Sequence, residues 1–395
     1  MSRIVWHGPH PDMVSGYARQ ARQWIPRLAA LGHEVAISCY SGHYGAPTEW
    51  RGFPVYPASY NSKWSEDVVL ANYQHFKADL CIRLLDIWPL NPSAWRDMRV
   101  ACWAAVDCAP MSVGDRAVLE QDGSTPFAMS QFGKRQLEAA GFDPVHLVPH
   151  GIDTSVFCPG DRAAVRESMG IAPDAFVVGI NARNSDGDPD RKAWHENLRA
   201  LSVFVKRHPE TVVLLHTMML EPGGLLLPPY LGYLGLPGAQ MMMRDDRMVI
   251  SRPATVQFSP QYELLSGFIT DEAMADWYRA CDVYLGPSCG EGFGLPGVEA
   301  QACGTPVILA NAHTGPELRG AGWLVDCEPR WNWKHQADWV RPQVRSIVRA
   351  LEKSHEEQGR PVSARVRRNR AREFALRFDA AAVMPAWETM LGEFA

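Results

Sequence analysis

Glu291 and Glu299 stand with seven residues between them, around a turn carrying Gly290, Gly292 and Gly294. Two carboxylates so placed can accept hydrogen bonds from sugar or ribose hydroxyls, or do acid–base work on them. Pro296 suits the first position of a helix, and Gly304 suits its end. Val283-Tyr284-Leu285 before the turn and Val307-Ile308-Leu309 after it are apolar runs that read as strands. Strand, glycine turn, helix and strand make a βαβ unit. The helix start would leave the backbone N–H groups of Phe293, Gly294 and Leu295 open to an anion or to hydroxyls. A generic βα turn carries the same elements, so spacing alone leaves both readings standing.

The run EGFGLPGVEAQACGTPV, residues 291–307, resembles the signature of retaining family 4 glycosyltransferases. That resemblance implies an α/β chain of the GT-B fold, two Rossmann-like domains facing each other across a cleft. It implies a nucleotide-diphosphate sugar as co-substrate (a UDP-, GDP- or ADP-sugar), with no cofactor and no resident metal. Glu299 would hold the ribose, while Glu291 and the Phe293–Leu295 backbone would orient the sugar. Arg183 and Lys192, after the apolar strand Phe176 to Ile180, would grip the diphosphate, with Arg191 competing for one of those roles. Two fixed cations there would stabilise the charge that grows on the leaving phosphate. Ala193 departs from the family's glycine after the lysine.

In the N-terminal half the resemblance is thinner. Gly16 falls in a loop like the family's glycine-bearing loop near the donor phosphates, or simply starts a helix. Asp107, in VDCAP, lies where many members carry a His or His-Asp touching the reacting sugar, and it also reads as a helix cap. His150, in VPHGID, replaces a common Asn and reads as structural. The nucleobase would lie near Gly267 to Thr270, and Glu317 is a further family-like glutamate that equally reads as a cap.

These residues need elements to hold them. At 395 residues the chain exceeds one typical core, so two domains are expected. Residues 1–155 read as an acceptor domain, 160–372 as a nucleotide-sugar domain, and 373–395 as a helix crossing back to the first. Strands are expected at Ile4 to Trp6, Val35 to Tyr40, Asp79 to Leu85, Val100 to Val106 and Phe127 to Ser130. Tyr17, Ala21, Trp24, Leu28 and Leu31 share a helix face, with Pro26 predicting a kink. Residues 42–60 read as a loop. The aromatics Trp50, Tyr56, Tyr60, Trp64, Trp88 and Trp95 suit either an acceptor wall or plain packing.

Hydrophobic residues make up 46% and charged residues 21%, with a net charge of −5, which does not demand nucleic acid or an anionic membrane. No apolar run reaches the ~18 residues that span a bilayer. The N-terminus reads as a first strand, and nine cysteines without a C-x-x-C read as reduced thiols. A cytoplasmic protein is the expectation. Asp186, Asp188 and Asp190 could suggest a metal, but their polar loop beside two basic residues argues against one. Arginines between 360 and 377 read as a solvated helix face. Transfer of a sugar to an acceptor hydroxyl is the reading that results. The acceptor (glycan, lipid, small molecule or, more remotely, nucleic acid) stays open. An epimerase or phosphorylase of the same fold, or an inactive nucleotide-sugar-binding protein, are its alternatives.

Overall fold

Nearly every apolar run read as a strand pairs within one of two parallel sheets. The computed structural model describes residues 1–394 except 186, 188–189, 219–222, 237–240, 245–246, 251–255 and 259–268. The first sheet holds β1 (Arg3–Pro9), β2 (Glu34–Ser41), β3 (Thr48–Trp50), β4 (Phe53–Tyr56), β5 (Leu80–Arg83), β6 (Val100–Ala104) and β7 (Thr125–Ala128). Its order is β3-β4-β2-β1-β5-β6-β7, parallel throughout except for the β3–β4 hairpin.

After β8 (Phe176–Asn181) and β9 (Thr211–His216) come a two-stranded ribbon, β10 (Met241–Arg244) with β11 (Arg247–Ile250), then β12 (Val256–Phe258). β13 (Val283–Leu285), β14 (Val307–Ala310) and β15 (Gly322–Val325) complete the second sheet, ordered β12-β9-β8-β13-β14-β15 and all parallel. A hairpin, β16 (Cys327–Asn332) with β17 (Ala337–Pro342), follows. In each sheet the first strand is central and the order reverses beside it, at β1 between β2 and β5 and at β8 between β9 and β13. Ligands of such sheets gather at the carboxyl ends beside that reversal.

The helix Gly16–Ala30 buries Ala21, Trp24 and Leu28 and runs through Pro26 without a break, while Leu31 is its half-open cap. Ser15 starts it by accepting from Ala18 N at 3.1 Å. The segment read as one crossing helix from 373 is two pieces. Pro361–Ala375 ends in a 3₁₀ turn, Leu376–Phe378, and a separate helix spans Ala380–Gly392. Trp387 of the latter is fully buried in the first domain's core, its ring 4.9 Å from Trp103, 5.3 Å from Trp24 and 6.0 Å from Trp6.

Other readings change. Residues 42–60 contain the β3–β4 hairpin, and the 327–342 hairpin had no sequence reading at all. The arginines of 361–375 are only partly a solvated face. Arg372 donates to the carbonyls of Phe157, Ala302 and Thr154 at 2.6, 3.0 and 2.9 Å, and Arg368 reaches Asp282 at 3.3 Å. Trp50, Tyr56 and Trp95 are buried packing, leaving Tyr60 and Trp88 open to solvent. The side chains of Met241 to Met243 and the Gly267–Phe268 loop lie outside the described residues. Among the described residues no helix is long and apolar enough to cross a membrane.

Candidate active site

The turn after β13 meets the N-terminal domain at the reversal of both sheets, and its glycines explain how closely. A Cβ on Gly290 would stand 2.4 Å from the Asp107 carbonyl oxygen, and one on Gly292 3.1 Å from the backbone of Ala105. Gly294 instead adopts φ +107°, a conformation few side chains tolerate, and opens the helix Leu295–Ala302 with no side-chain cap. Among the described residues the N–H groups of Phe293, Gly294 and Leu295 donate no hydrogen bond. Phe293 itself is buried, its ring 5.1 Å from His150 and its carbonyl accepting from Thr314 Oγ1 at 2.9 Å.

Both glutamates are engaged. Glu291 pairs with Lys192 Nζ and lies 3.5 Å from Arg191 Nη1, which also donates to the Gly290 carbonyl at 3.2 Å. Burial pushes the Glu291 carboxyl up, but Lys192 and Arg191 outweigh it and hold it below its ordinary value. Arg191 and Lys192 therefore both reach the acid.

Glu299 is wholly buried. Its Oε2 accepts from Tyr278 Oη at 2.9 Å, and its Oε1 pairs with Arg19 Nη1. Asn181 Nδ2 donates to the same tyrosine oxygen at 2.8 Å. Arg19 Nε also lies 3.2 Å from Asp271 Oδ1, and Arg22 Nη2 lies 3.7 Å from it. Burial works against the Arg19 charge, and Glu299 and Asp271 more than restore it.

Arg19 and Arg22 went unnoticed in the sequence. Their only signal is a three-residue spacing on one face of the helix that Gly16 opens. Gly16 is the first residue of that helix, not a loop residue, and a Cβ there would touch Leu295 at 3.4 Å.

Arg183 follows β8 and is exposed, and its carbonyl accepts from Trp194 Nε1 at 3.1 Å. Its charge reaches Tyr40 across the cleft, where burial and then Asp86 push the phenol up and Arg183 opposes them. Ala193 adopts φ +52° at the start of the helix Trp194–Val205, so the alanine takes a backbone shape that glycine adopts freely. Asp190 accepts from the N–H groups of Lys192 and His195 at 3.1 and 3.3 Å, closing the turn before that helix. Asp186 and Asp188 lie outside the described residues.

On the N-terminal side, Asp107 Oδ1 accepts from Trp339 Nε1 of the β16–β17 hairpin at 3.4 Å. That hairpin pairs with the N-terminal domain, Ala109 and Asp338 exchanging two backbone hydrogen bonds of 3.1 Å. Tyr17 Oη donates to Asp86 Oδ1 at 3.2 Å. Asp115, another residue missed in the sequence, is buried nearby. Burial, then the charges of Asp107 and Asp86, push its carboxyl well up. Glu317 caps a helix of the opposite domain, accepting from Gln131 N and Phe132 N at 3.0 and 3.4 Å. His150 packs 4.5 Å from Trp103, and burial pushes it down to about 3.

The fold recurs across solved proteins. Sucrose-phosphate synthase from Thermosynechococcus elongatus superposes with a TM-score of 0.72 at 18% identity, covering 100% of this chain and 99% of that one. Anabaena HepE, solved with UDP-glucose, gives 0.71 at 16% identity, covering 99% and 100%. Two facing sheets of this order and these likenesses define a GT-B protein. Residues 251–332 match the family model for glycosyl transferases group 1. D-inositol 3-phosphate glycosyltransferase 2 of Catenulispora acidiphila is 35% identical over 176 residues, 43% of this chain and 36% of that protein. The chain spans about a third to a half the length of the curated relatives it matches. The likeness to the group 1 glycosyl transferases thus rests on part of the chain, residues 251–332 and the stretches shared with those relatives.

Proposed function

We propose that the chain is a retaining glycosyltransferase, moving a sugar from a nucleotide-diphosphate sugar to an acceptor hydroxyl. The observation that carries this reading is the meeting of Glu291, Lys192, Arg191, Glu299 and an uncapped helix start where the two sheet reversals face each other. Lys192 and Arg191, with Arg183, take the diphosphate, whose oxygens compete with Glu291 for the two cations. Glu291, freed in part, turns to the sugar hydroxyls, and Glu299 accepts from the ribose. These cations offset the charge that builds on the leaving phosphate, so no resident metal is invoked.

Neither glutamate is disposed as a covalent nucleophile, since one is ion-paired and the other buried under Arg19 and Tyr278. The acceptor hydroxyl therefore attacks from the face the phosphate leaves, and the departing phosphate oxygen takes its proton. The bond from the anomeric carbon to phosphate oxygen breaks as the bond to acceptor oxygen forms on the same face, which keeps the anomeric configuration. Asp107 and Gly16 bound the sugar and phosphate ends of that space. Nine thiols without a disulfide suit a reducing compartment, and we assign the protein to the cytoplasm.

HepE's bound UDP-glucose and the relatives' name make UDP-sugars and D-inositol 3-phosphate the donor and acceptor to try first. Incubated with radiolabelled UDP-, GDP- and ADP-sugars, the protein should release nucleotide in an acceptor-dependent way. The glycosidic product should keep the donor's anomeric configuration. Glu299→Ala should lower kcat/KM about 10- to 100-fold, as expected for lost hydrogen bonds to a charged group. Unchanged donor turnover in that variant would sink the site assignment.

A further inference from the structure

Three side chains converge at the end of the second sheet opposite the cleft. His208 and Glu210 lie in the turn between the helix Trp194–Val205 and β9, and His355 lies in the last turn of the helix Val344–Gln358. His355 Nε2 is 3.0 Å from Glu210 Oε1, and His208 Nδ1 is 3.7 Å from the same oxygen. One donor atom from each of the three residues lies within 4.8 Å of the others. Ligands held at zinc distances around one tetrahedral ion stand about 3.4 Å apart. The two measured separations fall on either side of that value.

A second observation comes from the far side of His208. Its Nε2 is 2.7 Å from Glu352 Oε2, and Arg207 Nη1 holds the other Glu352 oxygen at 3.1 Å. A carboxylate on the outer nitrogen keeps the proton there and leaves the Nδ1 lone pair facing the shared centre, the arrangement that supports metal-bound imidazoles. The rings are backed by apolar surface, Phe204 at 4.5 Å from His208 and Phe176 at 5.0 Å from His355. The imidazole centroids are only 4.1 Å apart. The three side chains are 20%, 43% and 30% exposed, so an ion can enter from solvent.

We propose that His208, Glu210 and His355 form a binding site for a zinc-class divalent cation, with Glu352 holding His208 in position and water filling the fourth place. Two imidazoles and one carboxylate favour zinc and its transition-metal neighbours over magnesium or calcium. β8 runs six residues from this end to the cleft, roughly 20 Å at strand rise, so the ion takes no part in sugar transfer. Its work is to tie the turn before β9 to the helix Val344–Gln358, where Glu210 and His355 are 145 residues apart in the chain.

The test uses the full chain stripped with a chelator, then dialysed against zinc chloride or cobalt chloride. The expected result is one zinc per chain and a melting temperature several degrees higher at ~100 times the Kd. Cobalt should give the visible absorption of a tetrahedral nitrogen–oxygen site. His208→Ala and His355→Ala should abolish uptake, and Glu352→Gln should weaken it about 10- to 100-fold. All these side chains are part-exposed, so the variants should keep the wild-type circular dichroism. No uptake by the unmodified protein, or equal uptake by the His208→Ala/His355→Ala double variant, overturns the proposal.

Discussion

Glu299 is constrained from the other domain as firmly as from its own. Arg19 holds one carboxylate oxygen and Tyr278 the other, so ribose hydroxyls reach that acid only by replacing a partner. Arg19→Ala should lower the stability of the ligand-free protein by about 1.5–3 kcal/mol, the range for hydrogen bonds to charged groups. Saturating nucleotide diphosphate should shrink that loss, because ribose takes over the vacated oxygen. Chemical denaturation with and without nucleotide measures both, and a loss of equal size in the two conditions would mean Arg19 stays on Glu299 throughout. The two glutamates were legible in the sequence because they sit in one short run with a glycine turn between them. Arg19 was not, because its partner lies 280 residues away. Nothing local distinguishes a cation aimed across a cleft from one in solvent.

At the scale of elements, the glycine turn and the β16–β17 hairpin meet the N-terminal domain at the cleft. Gly290 touches the Asp107 carbonyl so closely that any side chain must push the domains apart. Gly290→Ala should therefore reduce transfer at least tenfold, as a misplaced site does, while circular dichroism stays that of the parent. Retained activity would show that the turn can yield without moving the site. Helices and parallel strands were readable because their apolar periods are long and regular, as in the 283–285 and 307–309 strands. The β3–β4 hairpin was hidden because its turn is Arg51-Gly52, both at positive φ. Turns of that kind are usually flagged by Asn-Gly or Asp-Gly. The 327–342 hairpin was hidden because Pro329 and alternating charges interrupt its apolar pattern, and its pairing to Ala109 is with another domain.

For the whole molecule, burial leaves three histidines neutral. His7, His150 and His216 are each pushed down to about 3, chiefly by burial, from an ordinary 6.5. Below pH 6.5 the unfolded chain takes up protons that the folded chain refuses, so stability is full above that pH and falls as pH drops toward 3. Each contributes a slope of about 1.4 kcal/mol per pH unit in that window. Denaturant titrations between pH 7 and 4.5 should give that steep decline, and His150→Gln should flatten it by about one proton's worth. A flat profile would mean these rings protonate inside the fold. The two sheets were readable from the alternation of strands and helices, and residues 373–395 read as crossing back to the first domain, but the tryptophan cluster they complete was not. Trp387 fills the space among Trp6, Trp24 and Trp103, and its own segment carries no mark of the partner it packs against.

That placement sets an order of events during synthesis. The seventh strand of the first sheet leaves the ribosome about 260 residues before Trp387 does, a wait of roughly 10–50 s at ordinary elongation rates. Through that interval Trp6 and Trp103 of the sheet and Trp24 of the helix Gly16–Ala30 face an unfilled hollow. The first domain to be made thus closes its tryptophan core only when the helix Ala380–Gly392 arrives, and until then that apolar surface is open to association.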